Sequence, residues 1–294
     1  MFDDKFRRAR PIPDLGVLNF VNNSIQDSYK YLYDKNITKD FLNTYYEWIR
    51  SSELNNLHGL EKFDNLGYIH GTTQAFDAFY SENKDRRMRC FRGEYRYHTV
   101  IWRNNYPGWK YIEDDEIRKN DAVVISLPFS DFGSEHPEMQ KVLDSCDRLN
   151  VPVLVDCAYY SITKDLNFDL DRPCIDTIAF SMSKAFYGVE KLRIGMRCKR
   201  EFKDDSVDAL NLADYFSKIG PAVGYRLCKK YDPDFNYKKY GKKQEEICKK
   251  LKIETSDCVN FGLASKEHEY FSDFERGSDW RRVCISLLLG EIGI

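Results

Sequence analysis

The sequence of 294 residues has no apolar stretch long enough to cross a membrane, and no apolar segment typical of a signal peptide near its beginning. We therefore expect neither a membrane span nor a membrane partner. The sequence also lacks an excess of one charge, since 45 basic residues accompany 47 acidic residues and leave a net charge of −2. This balance gives no electrostatic reason to expect nucleic acid as a partner.

Cysteine pairs and histidine clusters are also missing. The nine cysteines form no C-x-x-C motif, and several lie inside apolar runs. Reduced, buried thiols are the simplest interpretation of this pattern, and they favour a cytoplasmic location. The five histidines are scattered without the spacing of metal ligands, so we expect no metal site.

What the sequence does contain is typical of a folded globular chain, with 42% hydrophobic and 15% aromatic residues. Changes in local composition suggest three parts. Residues 1–60 would contribute to a small domain or to dimer contacts, residues 61–202 would form a large α/β domain, and residues 203–294 a small C-terminal domain. The basic run 238–252 is interrupted by glutamates and is typical of a solvated helix face.

Nearly continuous apolar runs predict buried strands in the central part. The clearest are 121–129, 151–160 and 174–184, and the periodicity of 137–150 predicts a helix between the first two. A weaker strand is predicted at 88–95 and another at 282–289. Continuous apolar strands separated by helices indicate a parallel sheet that is covered on both faces.

Two polar side chains follow these predicted strands at positions that suit a ligand. Ligands of such sheets bind beyond the carboxyl ends of the strands, where Lys184 and Asp156 are expected. Burial would lower the pKa of Lys184, so that its neutral amine could attack an aldehyde. A buried Asp156 needs a cationic partner, and the protonated pyridine nitrogen of pyridoxal 5′-phosphate (PLP) would be one.

A phosphate site is predicted from two other segments. Gly71, Thr72 and Thr73 stand at the start of a predicted helix that carries Ala75, Phe76 and Phe79 on one side. Free backbone amides and hydroxyls at a helix start bind phosphate. Arg193 would add a bidentate cation.

Four short motifs carry a family resemblance. G-T-T-Q-A (71–75), D-C-A-Y (156–159), S-M-S-K (181–184) and R-I-G (193–195) resemble the signatures of class I/II aminotransferases, in the same order. The resemblance implies an aspartate-aminotransferase-like PLP fold of type I, which is α/β with a mainly parallel central sheet flanked by helices. It also implies a reduced second small α+β domain and a homodimer.

The resemblance assigns roles by matched position. Lys184 would form a Schiff base with PLP and move protons, Asp156 would pair with the pyridine nitrogen, and Tyr159 would bind the phenolic oxygen. The G-E-Y segment (93–95) makes Tyr95 the expected stacking ring, with Tyr97 as the reserve. The remaining cofactor-binding residues are expected around the phosphate: Gly71, Thr72, Thr73, Ser181, Ser183 and Arg193.

The sequence departs from the family pattern in one loop. L-P-F-S-D-F-G (127–133) replaces an N-P-T-G-like loop and places Ser130 where an asparagine would contact the phenolic oxygen. Farther along, W-R-R-V-C-I-S (280–286) resembles the strand that supplies the arginine for the substrate α-carboxylate. Arg282 is our choice for that role, and Arg281 is the alternative.

These observations predict an aminotransferase that acts on an amino acid and a 2-oxo acid through Lys184. The same fold supports other PLP chemistry, so a decarboxylase, a lyase or a cyclase of a specialised biosynthetic pathway stays open. A further alternative is a catalytically degenerate homologue that serves as a binding partner.

Overall fold

The computed structural model describes residues 6–291, which form alternating helices and strands. The helices are α1 (Leu15–Ser28), α2 (Ile37–Arg50), α3 (Thr72–Glu82), α4 (Tyr97–Asn105), α5 (Met139–Leu149), α6 (Ser206–Leu212), α7 (Ile219–Lys230), α8 (Phe235–Leu251) and α9 (Ser286–Leu289). The strands are β1 (Asn56–His58), β2 (Asn65–Ile69), β3 (Arg87–Cys90), β4 (Lys110–Tyr111), β5 (Asp121–Ser126), β6 (Val153–Cys157), β7 (Asn167–Asp169), β8 (Ile175–Ser181), β9 (Gly195–Lys199), β10 (Glu254–Thr255), β11 (Phe261–Ala264) and β12 (Arg281–Cys284).

A seven-stranded sheet with the order β2-β9-β8-β6-β5-β3-β4 forms the centre of the molecule. Six of its strands run parallel, and β9 runs antiparallel to its neighbours β2 and β8. Every residue of β5 and β6 is buried, as expected for strands covered on both faces. The predicted mainly parallel α/β sheet is confirmed.

Helices cover the sheet with apolar faces that their sequences encode. In α5 the buried residues Met139, Val142, Leu143 and Cys146 follow the spacing of one helix face. Helix α3 likewise buries the predicted Ala75, Phe76 and Phe79. None of the helices within residues 6–291 combines the length and apolar character needed to span a membrane.

The late apolar run is only partly a strand. The sequence predicts a single strand over 282–289, but β12 ends at Cys284 and Ser286–Leu289 forms the short helix α9. β12 pairs with β11, and β11 with β10, in a separate antiparallel sheet of three strands. Leucine favours a helical turn over a strand, and the S-L-L-L segment follows this preference.

The apolar core is continuous from one end of the described chain to the other. One cluster of buried side chains contains Ile12, Val17 and Phe41 from the N-terminal part together with Val283 and Leu289 from the C-terminal part. The division into 1–60, 61–202 and 203–294 stays a prediction, and residues 1–5 and 292–294 of the outer parts lie outside the described residues.

The topology brings several chain turns to one edge of the large sheet. The carboxyl ends of β2, β3, β5, β6 and β8 meet there because these strands are parallel. The antiparallel β9 begins at the same edge, so the residues that precede it join the group. The predicted functional residues lie in these turns.

Candidate active site

A cavity of about 810 Å³ opens at this edge of the sheet. It collects most of the residues that the sequence analysis selected. The ones that line it are Thr72, Thr73, Tyr95, Ser130, Asp156, Tyr159, Ser181, Ser183, Lys184, Arg193 and Arg282. Gly71 lies directly behind Arg193, one residue before α3. Tyr97 does not line the cavity, because its hydroxyl donates to the carboxylate of Asp77 at 2.9 Å.

Lys184 lies in the turn after β8, where it is partly buried and its amine is near positively charged arginines. Its Nζ donates to the backbone carbonyl of Ala9 at 3.0 Å. Burial first, and then the positive charges of Arg282 and Arg193, lower the pKa of the Lys184 ammonium. The arrangement favours a neutral, nucleophilic amine, as predicted from its place at a strand end.

Asp156 near the end of β6 is a buried carboxyl group in the floor of the cavity. Burial, and next the charge of Glu94, raise the pKa of Asp156 to about 8. The amide of Ala158 donates to Oδ1 at 3.1 Å, and the hydroxyl of Thr72 also contacts the carboxyl group. A cation placed against Asp156 would therefore favour its ionised form.

The expected phosphate-binding groups converge at the start of α3. Nη2 of Arg193 donates to the hydroxyl of Thr73 at 2.7 Å. Ser181 and Ser183 are linked hydroxyl to hydroxyl at 3.0 Å and line the same cavity. Two hydroxyl clusters, one guanidinium and a helix N-terminus form a donor-rich surface that suits a phosphate.

The close approach of the Arg193 guanidinium to the start of α3 requires a glycine at position 71. Its φ is +74°, and a methyl group there would lie 2.6 Å from Nη2 of Arg193. We expect Gly71→Ala to lower the free energy of unfolding by about 1–3 kcal/mol, because it combines backbone strain with displacement of the guanidinium. Urea unfolding of the purified protein measures this change.

Gly108→Ala provides the matched control for that substitution. Gly108 also has a positive φ, of +92°, but nothing lies within 4 Å of the position that its added methyl group would take. The control carries the backbone strain alone, so its loss of stability should be smaller. Equal losses in the two variants would contradict the proposed contact between Gly71 and Arg193.

Arg282 on β12 points into the cavity beside Tyr159. Its Nη1 donates to the carbonyl of Ser130 and to the Tyr159 hydroxyl, the latter at 3.1 Å, and its guanidinium lies over the ring of Phe261. The Nε atom is buried and has no hydrogen-bond partner among residues 6–291. Arg281 points away, toward the carbonyls of Ser272 and Ser278, so the structure favours Arg282 of the two candidates.

Ser130 and Tyr95 occupy the cavity wall in ways the sequence did not specify. The Ser130 hydroxyl donates to the carbonyl of Gly93 at 2.8 Å and accepts from Arg276 at 3.2 Å. The hydroxyl is therefore already engaged, whereas the Ser130 carbonyl accepts from Arg282, which also donates to the Tyr159 hydroxyl. Tyr95 is about half exposed and its ring stacks on Tyr97, with ring centroids 6.0 Å apart. Its stacking on a cofactor stays a prediction.

Three groups in the site were missed from the sequence. Glu94 is buried, accepts from the Ser126 amide at 2.7 Å and from its hydroxyl, and has a pKa raised to about 7 by burial. Ser126 pairs with Asp156 across the sheet, so β5 lies between Asp156 on β6 and the turn after β3 that carries Glu94. The G-E-Y segment predicts a role for Tyr95 of this turn but none for Glu94.

The other two missed groups come from distant segments. Arg276 donates to the carbonyl of Gly93 at 2.9 Å and forms an ion pair with Asp131 at 3.4 Å. Burial, and then the charge of Arg282, lower the pKa of Arg276 to about 10. The carbonyl of Ala9 is the third group. No motif marks either segment, so only the fold reveals them. Within residues 6–291 no cluster of potential metal ligands occurs.

Comparisons with known proteins identify the fold. No protein-family model and no curated protein matches the sequence. Among solved structures, the histidinol-phosphate aminotransferase from Clostridium acetobutylicum aligns over 94% of this chain and 93% of its own, with 15% identity and a TM-score of 0.62. A PLP-bound C-S lyase from Staphylococcus hominis, in complex with L-cycloserine, aligns over 98% and 86%, with 12% identity and a TM-score of 0.66.

A single mutant of the Thermus thermophilus aspartate aminotransferase gives a similar result. It aligns over 94% of this chain and 85% of its own, with 13% identity and a TM-score of 0.64. The chain therefore has the fold of the PLP-dependent enzymes of fold type I. This fold carries both transamination and C–S bond cleavage among the structures named, so it does not select the reaction.

Proposed function

We propose that this protein is a PLP-dependent aminotransferase of the class I/II type, acting on an amino acid and a 2-oxo acid. The observation that carries the proposal is the meeting of Lys184, Asp156 and Arg193 in one cavity, each at the strand end or strand start that the fold provides. A binding protein would need no such combination of a buried amine, a buried carboxyl group and a phosphate-type donor set.

The residues of the cavity fit PLP by their chemistry. Arg193, Thr72, Thr73, Ser181 and Ser183 would hold the phosphate, with Gly71 permitting the close approach of Arg193. Asp156 would pair with the protonated pyridine nitrogen, and this role is supported by the burial of an acidic group that forms no ion pair with any residue of 6–291. Tyr159 would hydrogen-bond the phenolic oxygen, and Lys184 would attach the cofactor covalently through Nζ.

When bound, PLP supplies an electron-withdrawing ring that weakens the bonds at Cα of an attached amino acid. The protein supplies orientation and proton transfer. Arg282 would bind the α-carboxylate through its guanidinium, which lines the cavity. Lys184, as a neutral amine, would take the proton from Cα and return it during the second half of the reaction.

An absorption titration tests this proposal. We expect purified protein to develop a visible band on addition of PLP, and borohydride to remove the band by reducing the lysine-linked cofactor. Amino-acid donors should then bleach the band and leave pyridoxamine phosphate bound to the protein. Pyridoxamine phosphate is measured by chromatography after denaturation, alongside the 2-oxo acid that is released.

The products separate the proposed reaction from its alternatives. Release of CO₂, ammonia or a cyclised product without pyridoxamine phosphate would replace transamination by decarboxylation, elimination or cyclisation. Absence of the visible band would favour the degenerate homologue. A homodimer and a cytoplasmic location follow only from the resemblance and from the cysteine pattern, and they stay predictions.

A further inference from the structure

The cavity carries more positive charge than the proposed chemistry uses. Seven arginines and Lys184 line it, against the carboxyl groups of Glu94, Asp156 and Glu275. In the proposed function, the negative charge of the cofactor phosphate would balance the positive charge of Arg193. The substrate α-carboxylate would balance the positive charge of Arg282. The volume of about 810 Å³ lies in the upper part of the range of roughly 300–1,000 Å³ for ligand cavities, so space also remains.

Part of the remaining charge is already balanced within the protein. Arg276 forms an ion pair with Asp131, and Arg7 forms one with Asp273. The Glu275 carboxylate forms an ion pair at 4.0 Å with Arg281, a residue that does not line the cavity. These pairs account for two of the arginines and for one of the carboxylates.

Arg96 and Arg103 are not balanced in this way. Neither side chain has a hydrogen bond or an ion pair with another residue of the described range 6–291. Both line the cavity, and both belong to the same side of α4, with Arg96 at its N-cap. Positions separated by seven residues lie almost above one another on a helix, and Thr99 lies between them on the same side.

The orientation of α4 is fixed by its opposite face. His98 and Trp102 are fully buried in an aromatic cluster beneath the helix. This packing directs the Arg96–Thr99–Arg103 side of α4, which we call the basic face, toward the cavity.

The segment before α4 connects the basic face to the inner part of the site. Arg276 donates to the carbonyls of Gly93 and Glu94, in the turn that leads into α4. The same arginine contacts Ser130, whose carbonyl binds Arg282. A chain of residues in contact therefore leads from the expected α-carboxylate site to the beginning of the basic face.

We propose that the substrate carries a second anionic group, a carboxylate or a phosphate, and that Arg96 and Arg103 bind it while Arg282 holds the α-carboxylate. This inference rests on the proposed function and names its substrate class. Two guanidiniums that have no partner among residues 6–291, on a helix whose opposite face is buried, form a site for an anion that arrives with the substrate.

Binding of unreactive substrate analogues tests this assignment without turnover. Calorimetry on the PLP-loaded protein would compare succinate, glutarate and adipate with their monoamides, and 3-phosphonopropionate would test a phosphate-like group. We expect at least one dianion to bind about tenfold or more tightly than its monoamide, because charge-assisted hydrogen bonds are lost in the amide. The preferred dianion identifies the second group.

Variants locate the site of that preference. In the double variant Arg96→Gln, Arg103→Gln, the dianion should bind no more tightly than the monoamide, while the monoamide keeps its affinity. Arg148→Gln removes an exposed arginine outside the cavity and should leave the preference unchanged. Equal binding of dianions and monoamides by the unmodified protein, or a preference that survives in the double variant, would overturn the inference.

Recording the visible band of the PLP-loaded protein distinguishes failure of the substrate inference from failure of the proposed function. The band is recorded for each protein before calorimetry. If the band forms and the dianion preference is absent, only the substrate inference fails. If the unmodified protein forms no band, the proposed function fails first.

Discussion

Lys184→Ala should abolish the visible band on addition of PLP and lower turnover by at least roughly 1,000-fold, because one side chain supplies both the covalent attachment and the proton transfer. Burial and the charge of Arg282 lower the pKa of the Lys184 ammonium, so that its amine is available for both roles. The band is measured by absorption, and turnover by release of the 2-oxo acid from the amino-acid donor that works best.

The variant should keep its fold, since removing a desolvated amine relieves burial and breaks only the hydrogen bond to Ala9. Circular dichroism and urea unfolding verify that point. Lys191→Ala is the matched control, because Lys191 is exposed and lies outside the cavity. A borohydride-reducible band that persists in Lys184→Ala, or one that is lost in Lys191→Ala, would contradict the assignment of Lys184.

The central sheet was predictable because its strands are apolar along their whole length. β5, β6 and β8 coincide with the three runs chosen from the sequence, and the helix between the first two was also expected. In a parallel sheet, strand ends with polar residues meet at one edge, so the same pattern placed Asp156 and Lys184 together. Local sequence was sufficient for these features.

The rest of the site depends on tertiary contacts that no local pattern encodes. Ala9 reaches Lys184 from the beginning of the described chain, and Arg276 reaches Gly93 from the far end. Glu94 is buried because Ser126 offers its amide and hydroxyl, whereas the adjacent Tyr95 turns outward. In a loop, the sequence does not specify which neighbour points inward.

The small C-terminal sheet shows another feature that the local sequence pattern does not predict correctly. The run at 282–289 satisfies the apolar criterion for a strand, but on this side of β11 the pairing stops at Cys284, the last residue of β12. A strand persists where a partner supplies hydrogen bonds, and the leucines beyond that partner form α9 instead. Arg282 faces the cavity while Arg281 faces the loop carbonyls, because successive strand residues point to opposite sides.

Asp156→Asn should have opposite effects on activity and on the stability of the cofactor-free protein. Turnover should fall by about 100-fold or more, because a neutral amide cannot form the ion pair with the pyridine nitrogen. In the cofactor-free protein the same substitution should be stabilising near pH 8 by roughly 1–3 kcal/mol, because it removes a buried carboxyl group that forms no ion pair with any residue in the described range.

The pH dependence of the free energy of unfolding shows whether the buried charge of Asp156 is the reason for the expected stabilisation in Asp156→Asn. Burial and the charge of Glu94 raise the pKa of Asp156 from 3.8 to about 8 in the folded protein. Between these pH values the folded protein holds a proton that the unfolded chain has released, so the carboxyl group's contribution to stability decreases as pH rises. The advantage of Asp156→Asn should therefore grow from about pH 4 and level off above pH 8.

Urea unfolding of both proteins across this range, without PLP, measures the difference. Glu94 titrates in the same range, with a pKa of about 7, but it is present in both proteins, so comparing them isolates Asp156 to first order. Saturating PLP should then reverse the order of stability, since the ring nitrogen supplies the missing cation to the carboxylate alone. An advantage of Asp156→Asn that does not depend on pH would show that shape, rather than charge, governs this position.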